Sequence, residues 1–283
     1  MTDFVRAVGG GLLIGLPLLY TQEMWSHAFA LPGWKIVTLL AVAYAILVGY
    51  NHAIGFRRDL SFREVLIDSV EALGIGILVA FTALLLLGRI EPGTSLRDAV
   101  GKVALEGIVI SFGAAIAAGQ LRAQNDEGSA GDEGNDDADP FQRLYVAAGG
   151  ALIFALNVAP TEEPVLIGIE SGPWLLLGVV IATLLVTLGL VFYADFRGGH
   201  TITASDTPLD HPVSETLAAY AISLAVSWLL LWAFGRLEGA SLAAIVAMTV
   251  ALGVVASLGA AVGRLLLGGS EAGAGNADGG QGS

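Results

Sequence analysis

The sequence predicts an all-α polytopic membrane protein, with eight transmembrane helices arranged as two four-helix repeats of the same orientation. Three observations predict it. First, 55% of the 283 residues are hydrophobic and only 14% are charged, with a mean hydropathy of +0.73. Ordinary soluble domains carry about 25% charged residues, so a soluble globular enzyme is nearly excluded. Second, long uncharged runs recur along the chain, and a crossing helix needs roughly 20 apolar residues. None of the runs alternates with period two, which disfavours a barrel. Helices remain as the way to satisfy every backbone group in lipid. Third, the chain repeats itself.

The runs, setting aside His52, are Ala7–Gln22, Ile36–Phe56, Ala72–Gly88, Gly107–Leu121, Leu144–Thr161, Ser171–Ala194, Thr216–Gly235 and Gly239–Gly263. Several in the first half are shorter than a full span, so their helices extend over acids at their ends. The first run lacks a small-residue cleavage site and continues into Glu23-Met24-Trp25, which reads as a retained helix rather than a signal peptide.

Sliding the chain by 140 residues aligns Gly9-Gly10 with Gly149-Gly150, Thr21 with Thr161, Glu23 with Glu163, Trp34 with Trp174, and Phe56-Arg57 with Phe196-Arg197. Ala7–Arg57 holds eleven ungapped identities at this offset. Later, Gly88-Arg89-Ile90-Glu91 aligns with Gly235-Arg236-Leu237-Glu238, and Ser111–Ala115 with Ser257–Ala261. Residues 1–121 and 143–267 are the expected repeats, joined by an acidic linker, 122–142, and followed by a Gly-rich tail, 268–283. Both connecting segments lack the apolar residues a folded core needs. Four helices per repeat keep both halves in one orientation, as in parallel transporter repeats. One side holds eight Lys and Arg and the other five. That bias places both termini in the cytoplasm of an inner-membrane protein.

The chain has no cysteine, which excludes disulfides and thiol or Cys-metal chemistry. Its net charge of −13 argues against nucleic acid as a partner. There is no His-Glu-x-x-His, Gly-x-Ser-x-Gly, phosphate-loop or dinucleotide motif, so neither an enzyme nor a bound cofactor is expected. His200, Asp206, Asp210 and His211 share a loop, but their spacing fits no common metal site.

The membrane acids carry the functional reading, because a charge at mid-membrane costs at least about 2.5 kcal/mol. Glu23 and Glu163 are repeat partners, each beside a threonine, Thr21 and Thr161. Glu162 and Glu163 lie between Pro160 and Pro164, and a broken helix beside a carboxylate suits a cation. The pair either faces across the symmetry axis or ends two helices at the surface. Glu71 and Glu106 have apolar repeat partners, Ala218 and about Leu252. Asp98, Lys102 and Glu106 share one helix face, as a Lys102–Glu106 pair or as a polar path. Asp68 aligns with Glu215 at a helix start, where a carboxylate favours the dipole. His52 ends the second helix, where it is a proton shuttle or an interfacial residue.

The string Gly10–Trp25, with Leu16-Pro17-Leu18-Leu19-Tyr20-Thr21-Gln22-Glu23-Met24-Trp25, resembles the opening of a family of bacterial and archaeal integral membrane proteins catalogued as a domain of unknown function. The similarity covers the membrane portion, not the linker or tail. It implies a polytopic inner-membrane protein and brings no activity with it. Pro17 and Trp25 have no counterparts in the second half, so the halves need not do the same work. The expected function is cation handling, proton-linked, through Glu23, Glu163, Glu71 and Glu106. The alternative is a scaffold or sensor contacting partners, a second copy included, through the linker and cytoplasmic loops.

Overall fold

The computed structural model describes residues 2–54, 61–126, 140–197 and 212–275, and every regular element among them is an α-helix. The described residues form α1 (Thr2–Leu19), α2 (Gln22–Ala30), α3 (Gly33–Ile54), α4 (Phe62–Leu86), α5 (Leu96–Asp126), α6 (Pro140–Leu156), α7 (Glu163–Glu170), α8 (Pro173–Arg197), α9 (Pro212–Ala233) and α10 (Leu242–Gly275).

Six helices are long and apolar enough to cross a membrane: Gly33–His52, Phe62–Leu86, Leu96–Ala117, Pro173–Phe192, Val213–Ala233 and Leu242–Gly263. Of the eight expected spans, those of the first and fifth runs fall short of this length. These form shorter apolar helices, Ala7–Leu19 and Arg143–Leu156, each followed by a separate short helix. The causes are local. Pro17 removes a helix donor near the end of α1. Thr21 then turns the chain, its N–H donating to Leu18 O and its hydroxyl to Pro17 O, both at 2.8 Å. After α6, Asn157 and Val158 donate to carbonyls three residues back, and the Thr161 hydroxyl donates to Val158 O at 2.7 Å. Pro164 occupies the first turn of α7, where its missing N–H has no helical partner to lose.

Two groups of helices gather around two interior helices. α5 contacts α1, α2, α3 and α4, and α10 contacts α6, α7, α8 and α9. Burial follows this layout: 72% of the best apolar window in α5 is buried, against 17% in the peripheral α8. α1 runs antiparallel to α5, with Gly10 against Gly113 and Ala117, and Gly15 against Ile110. In the same way Gly150 of α6 meets Gly259 of α10. A Cβ at Gly113 would stand 2.6 Å from Gly10 O, and one at Gly259 would press on Gly150 O. Small residues at these crossings let backbones approach closely. The groups join where Tyr145 of α6 lies on Gly49 of α3.

α4 and α9 end alike. Gly88 (φ 65°) and Gly235 (φ 73°) take the left-handed conformation that terminates a helix. The next residue closes each turn, with Arg89 N–H donating to Leu84 O at 2.8 Å and Arg236 N–H to Leu231 O at 2.9 Å. At the start of α4, Ser61 and Glu64 form a reciprocal capping box.

Helix covers both margins of the expected linker, since α5 continues to Asp126 and α6 starts at Pro140. α10 likewise runs to Gly275, into the expected tail. The rest of the linker, the last residues of the tail, and the loop with His200, Asp206, Asp210 and His211 lie outside the described residues.

Candidate functional site

Glu106 stands at the middle of the Leu96–Ala117 span, the most buried of the six. At 1.5 Å rise per residue it is about 15 Å from either end of that span. The register agrees, because the neighbouring Gly107 packs on Ile77, inside the apolar stretch of α4. Glu106 has no exposed surface, and neither carboxylate oxygen has a hydrogen-bond partner among the described residues. Leu105, Ile108, Val109 and Ile110 around it in sequence are also fully buried, at 0–1% exposure. An ionised carboxylate in such a place costs several kcal/mol unless something neutralises it.

The alternative pairing of Lys102 with Glu106 does not form. Lys102 Nζ instead holds Asp98 Oδ2 at 2.9 Å and Arg89 O at 3.1 Å. Asp98 and Glu106 are both four residues from Lys102, on opposite sides along the helix. The Arg89 carbonyl, at the end of α4, completes the site on the Asp98 side. The Arg89 guanidinium itself lies 4.4 Å from the centre of the Trp25 ring. Trp25 Nε1 and Asp98 Oδ1 are buried without partners among the described residues. Trp25, Arg89, Asp98, Lys102 and Glu106 thus lead from the α2 end of the bundle toward its centre.

A second polar cluster joins the two helix groups at the same end. His27 of α2 has Nε2 at 3.0 Å from Pro160 O, in the turn between α6 and α7. Arg236, after α9, has Nη2 at 3.3 Å from the same His27 nitrogen and also donates to Pro160 O. Its Nη1 lies 3.9 Å from Glu162 Oε1. The Phe234 ring meets His27 edge-on at 5.1 Å. Burial, and then the Arg236 charge, hold the His27 imidazole below its ordinary titration range. Nearby, Lys35 of α3 is 5% exposed and donates to Trp232 O at 3.0 Å and to Glu238 at 3.1 Å. Trp34 and Trp232 cross edge-on beside it at 5.4 Å.

The other expected residues take different places. Glu23 and Glu163 are exposed on α2 and α7, at the rim of the His27–Arg236 cluster. No hydrogen bond or ion pair between them exists among the described residues. Thr161, followed by backbone N–H groups, holds the Glu163 carboxyl below the usual range. Glu162 is exposed with Arg236 at 3.9 Å, the Thr21 hydroxyl donates to Pro17 O, and the Thr161 hydroxyl lies between Val158 O and the Glu163 carboxyl. Glu71 is exposed on the outer face of α4, just before the apolar stretch begins. Asp68 is half-buried and engaged near the start of the same helix. Its aligned residue Glu215 is 3.5 Å from Arg143. His52 is exposed in the last turn of α3.

Sequence reasoning missed His27 and the tertiary role of Arg236. The available signal was the repeated Gly-Arg after α4 and α9. Both arginines meet α2, Arg89 on Trp25 and Arg236 on His27. No group of three or more metal-ligating side chains exists among the described residues. Comparison with curated proteins and with solved structures finds no match. Comparison with family profiles finds the one described as "Putative integral membrane protein (DUF2391)", matched over residues 3–267. Nearly the whole chain is covered, and the protein therefore belongs to this family of integral membrane proteins of unknown function.

Proposed function

We propose that this chain translocates protons, with Glu106 as the group that carries them. The single observation behind the reading is the Glu106 carboxyl, fully buried at mid-span with both oxygens unpartnered among the described residues. Intramembrane acids of this kind mark ion and proton routes. A proton suits the site better than a metal ion. A hard cation such as Ca²⁺ takes six or more oxygen ligands, and no group of three or more metal-ligating side chains stands at Glu106 among the described residues. A route from the α2 end would follow Asp98, Lys102 and Glu106 along one face of α5, with waters bridging to the unpartnered Asp98 Oδ1 and Trp25 Nε1.

In this reading the protein has eight crossings in two duplicated groups, with both termini in the cytoplasm of an inner membrane. Three features support duplication: the Gly10–Gly113 and Gly150–Gly259 crossings, the Gly88 and Gly235 helix ends, and the matched roles of α5 and α10. The antiparallel runs of α1 along α5 and α6 along α10 support crossings by the two shorter helices.

The test is flux into proteoliposomes holding a pH-sensitive dye, driven by a potassium diffusion potential. The parent should move protons, Glu106→Gln should lose at least about tenfold, and Glu106→Asp should retain part of the rate. Absence of parental flux for H⁺, Na⁺, K⁺ and Ca²⁺ would remove the proposal and leave the scaffold reading.

A further inference from the structure

We propose that His27 is an acid-released latch that holds the α1–α5 and α6–α10 groups together at the α2/α7 end. The latch stands on a conflict at one atom. His27 Nε2 is within reach of both Pro160 O and Arg236 Nη2. A carbonyl oxygen can only accept, and a guanidinium can only donate. In the neutral ring with its proton on Nδ1, Nε2 accepts from Arg236. With a proton on Nε2 the ring donates to Pro160 O, and Arg236 loses the His27 nitrogen as an acceptor and keeps only its share of Pro160 O. A fully protonated ring also places a positive charge 3.3 Å from Arg236. The two protonation states therefore prefer different arrangements of the same three groups.

These groups come from three places: α2, the α6–α7 turn and the segment after α9. Arg236 has alternative partners at hand, since Glu162 is already 3.9 Å away and its charge reaches Glu163. Protonation would therefore move Arg236 from α2 toward α7. Glu23, on the ring's own helix, favours the charged ring, while burial and Arg236 oppose it. From α5, Arg97 donates to Leu31 O at 3.2 Å, and Lys102 is held by Asp98 Oδ2 and Arg89 O. From α3, Lys35 is held by Trp232 O and Glu238. Phe234 offers only its ring edge.

The sign follows from linkage. A histidine held neutral in the folded protein binds fewer protons than the free residue. The latch is therefore intact above the ordinary histidine value of 6.5 and is lost as pH falls below it.

Because the chain has no cysteine, spin labels can be placed freely. The experiment labels Phe29→Cys on α2 and Leu166→Cys on α7, both exposed, in the full chain in lipid nanodiscs. Their distance distribution should shift or broaden between pH 7.5 and pH 5, and His27→Gln should remove that pH dependence. In the unlabelled parent, the His27 ring should titrate below 6.5 by nitrogen NMR, and Arg236→Gln should move it upward. A parental distribution independent of pH, a shift that persists in His27→Gln, or a His27 titration at or above 6.5 would overturn the latch. None of these readouts is a flux, so the latch and the proton-transport reading fail separately.

Discussion

The interior helices α5 and α10 hold the same place in their groups but differ at one buried position. By the offset that matches Gly113 with Gly259, Glu106 of α5 falls at Leu252 of α10, and both are 0% exposed. The short helices differ as well. α2 receives two arginines, on Trp25 and His27, whereas the aligned α7 residues are Val165 and Ile167. The packing of α10 thus shows that this type of interior site closes well around an apolar side chain. A carboxyl in its place is not a requirement of packing. The α1–α5 group carries a mid-span carboxyl and a short helix that receives two arginines, which the α6–α10 group does without, while the buried acid of the latter, Glu215, lies near a helix start beside Arg143.

The sharpest way to break this comparison is to make α5 resemble α10. Glu106→Leu should abolish proton flux, a loss of at least about tenfold, with a thermal midpoint in detergent equal to the parent's or higher. Replacing a buried ionisable group by a packed apolar one is often neutral or stabilising. A large drop in that midpoint would show that Glu106 is a structural residue with a partner, and the contrast with Leu252 would lose its meaning.

The next effect concerns the glycine crossings shared by the groups. Gly113→Leu and Gly259→Leu each force a side chain against a backbone carbonyl. Each should destabilise by about 1–3 kcal/mol, read as a fall in the melting midpoint. Unequal losses would break the equivalence of the two crossings.

Lys35→Met tests the joint between the groups. It removes one of the two donors to Trp232 O, the other being Gly235 N–H, at an expected cost of about 1–3 kcal/mol for a hydrogen bond from a charged group. Most of that cost belongs to the carbonyl, because Glu238 is largely exposed. Glu238→Gln should therefore move the melting midpoint much less than Lys35→Met, and the reverse order would assign the joint to the ion pair.

The smallest effect is expected at the acids on the rim. Glu23→Gln and Glu163→Gln should each change proton flux by less than about twofold, because both carboxylates stand in solvent. A loss as large as that of Glu106→Gln would return the paired-acid route to first place.

Composition alone determined that this is an α-helical membrane protein. The hydrophobic content cannot be hidden in a soluble fold, and the free energy of backbone groups in lipid demands helices. Local chemistry made other features legible: the apolar runs that stop at Gly88 and Gly235, and the break between Pro160 and Pro164. The eight apolar runs were correct as runs, but proline and threonine turned the first and fifth into shorter helices with separate caps. Tertiary structure decided the rest. Lys102 had an acid four residues away on either side, and only the Arg89 carbonyl, brought by the end of α4, selected Asp98 and left Glu106 alone. His27 and Arg236 are 209 residues apart, and no spacing rule pairs them. Depth and partnership depend on which helix covers which face, and that is settled by packing between segments distant in the chain.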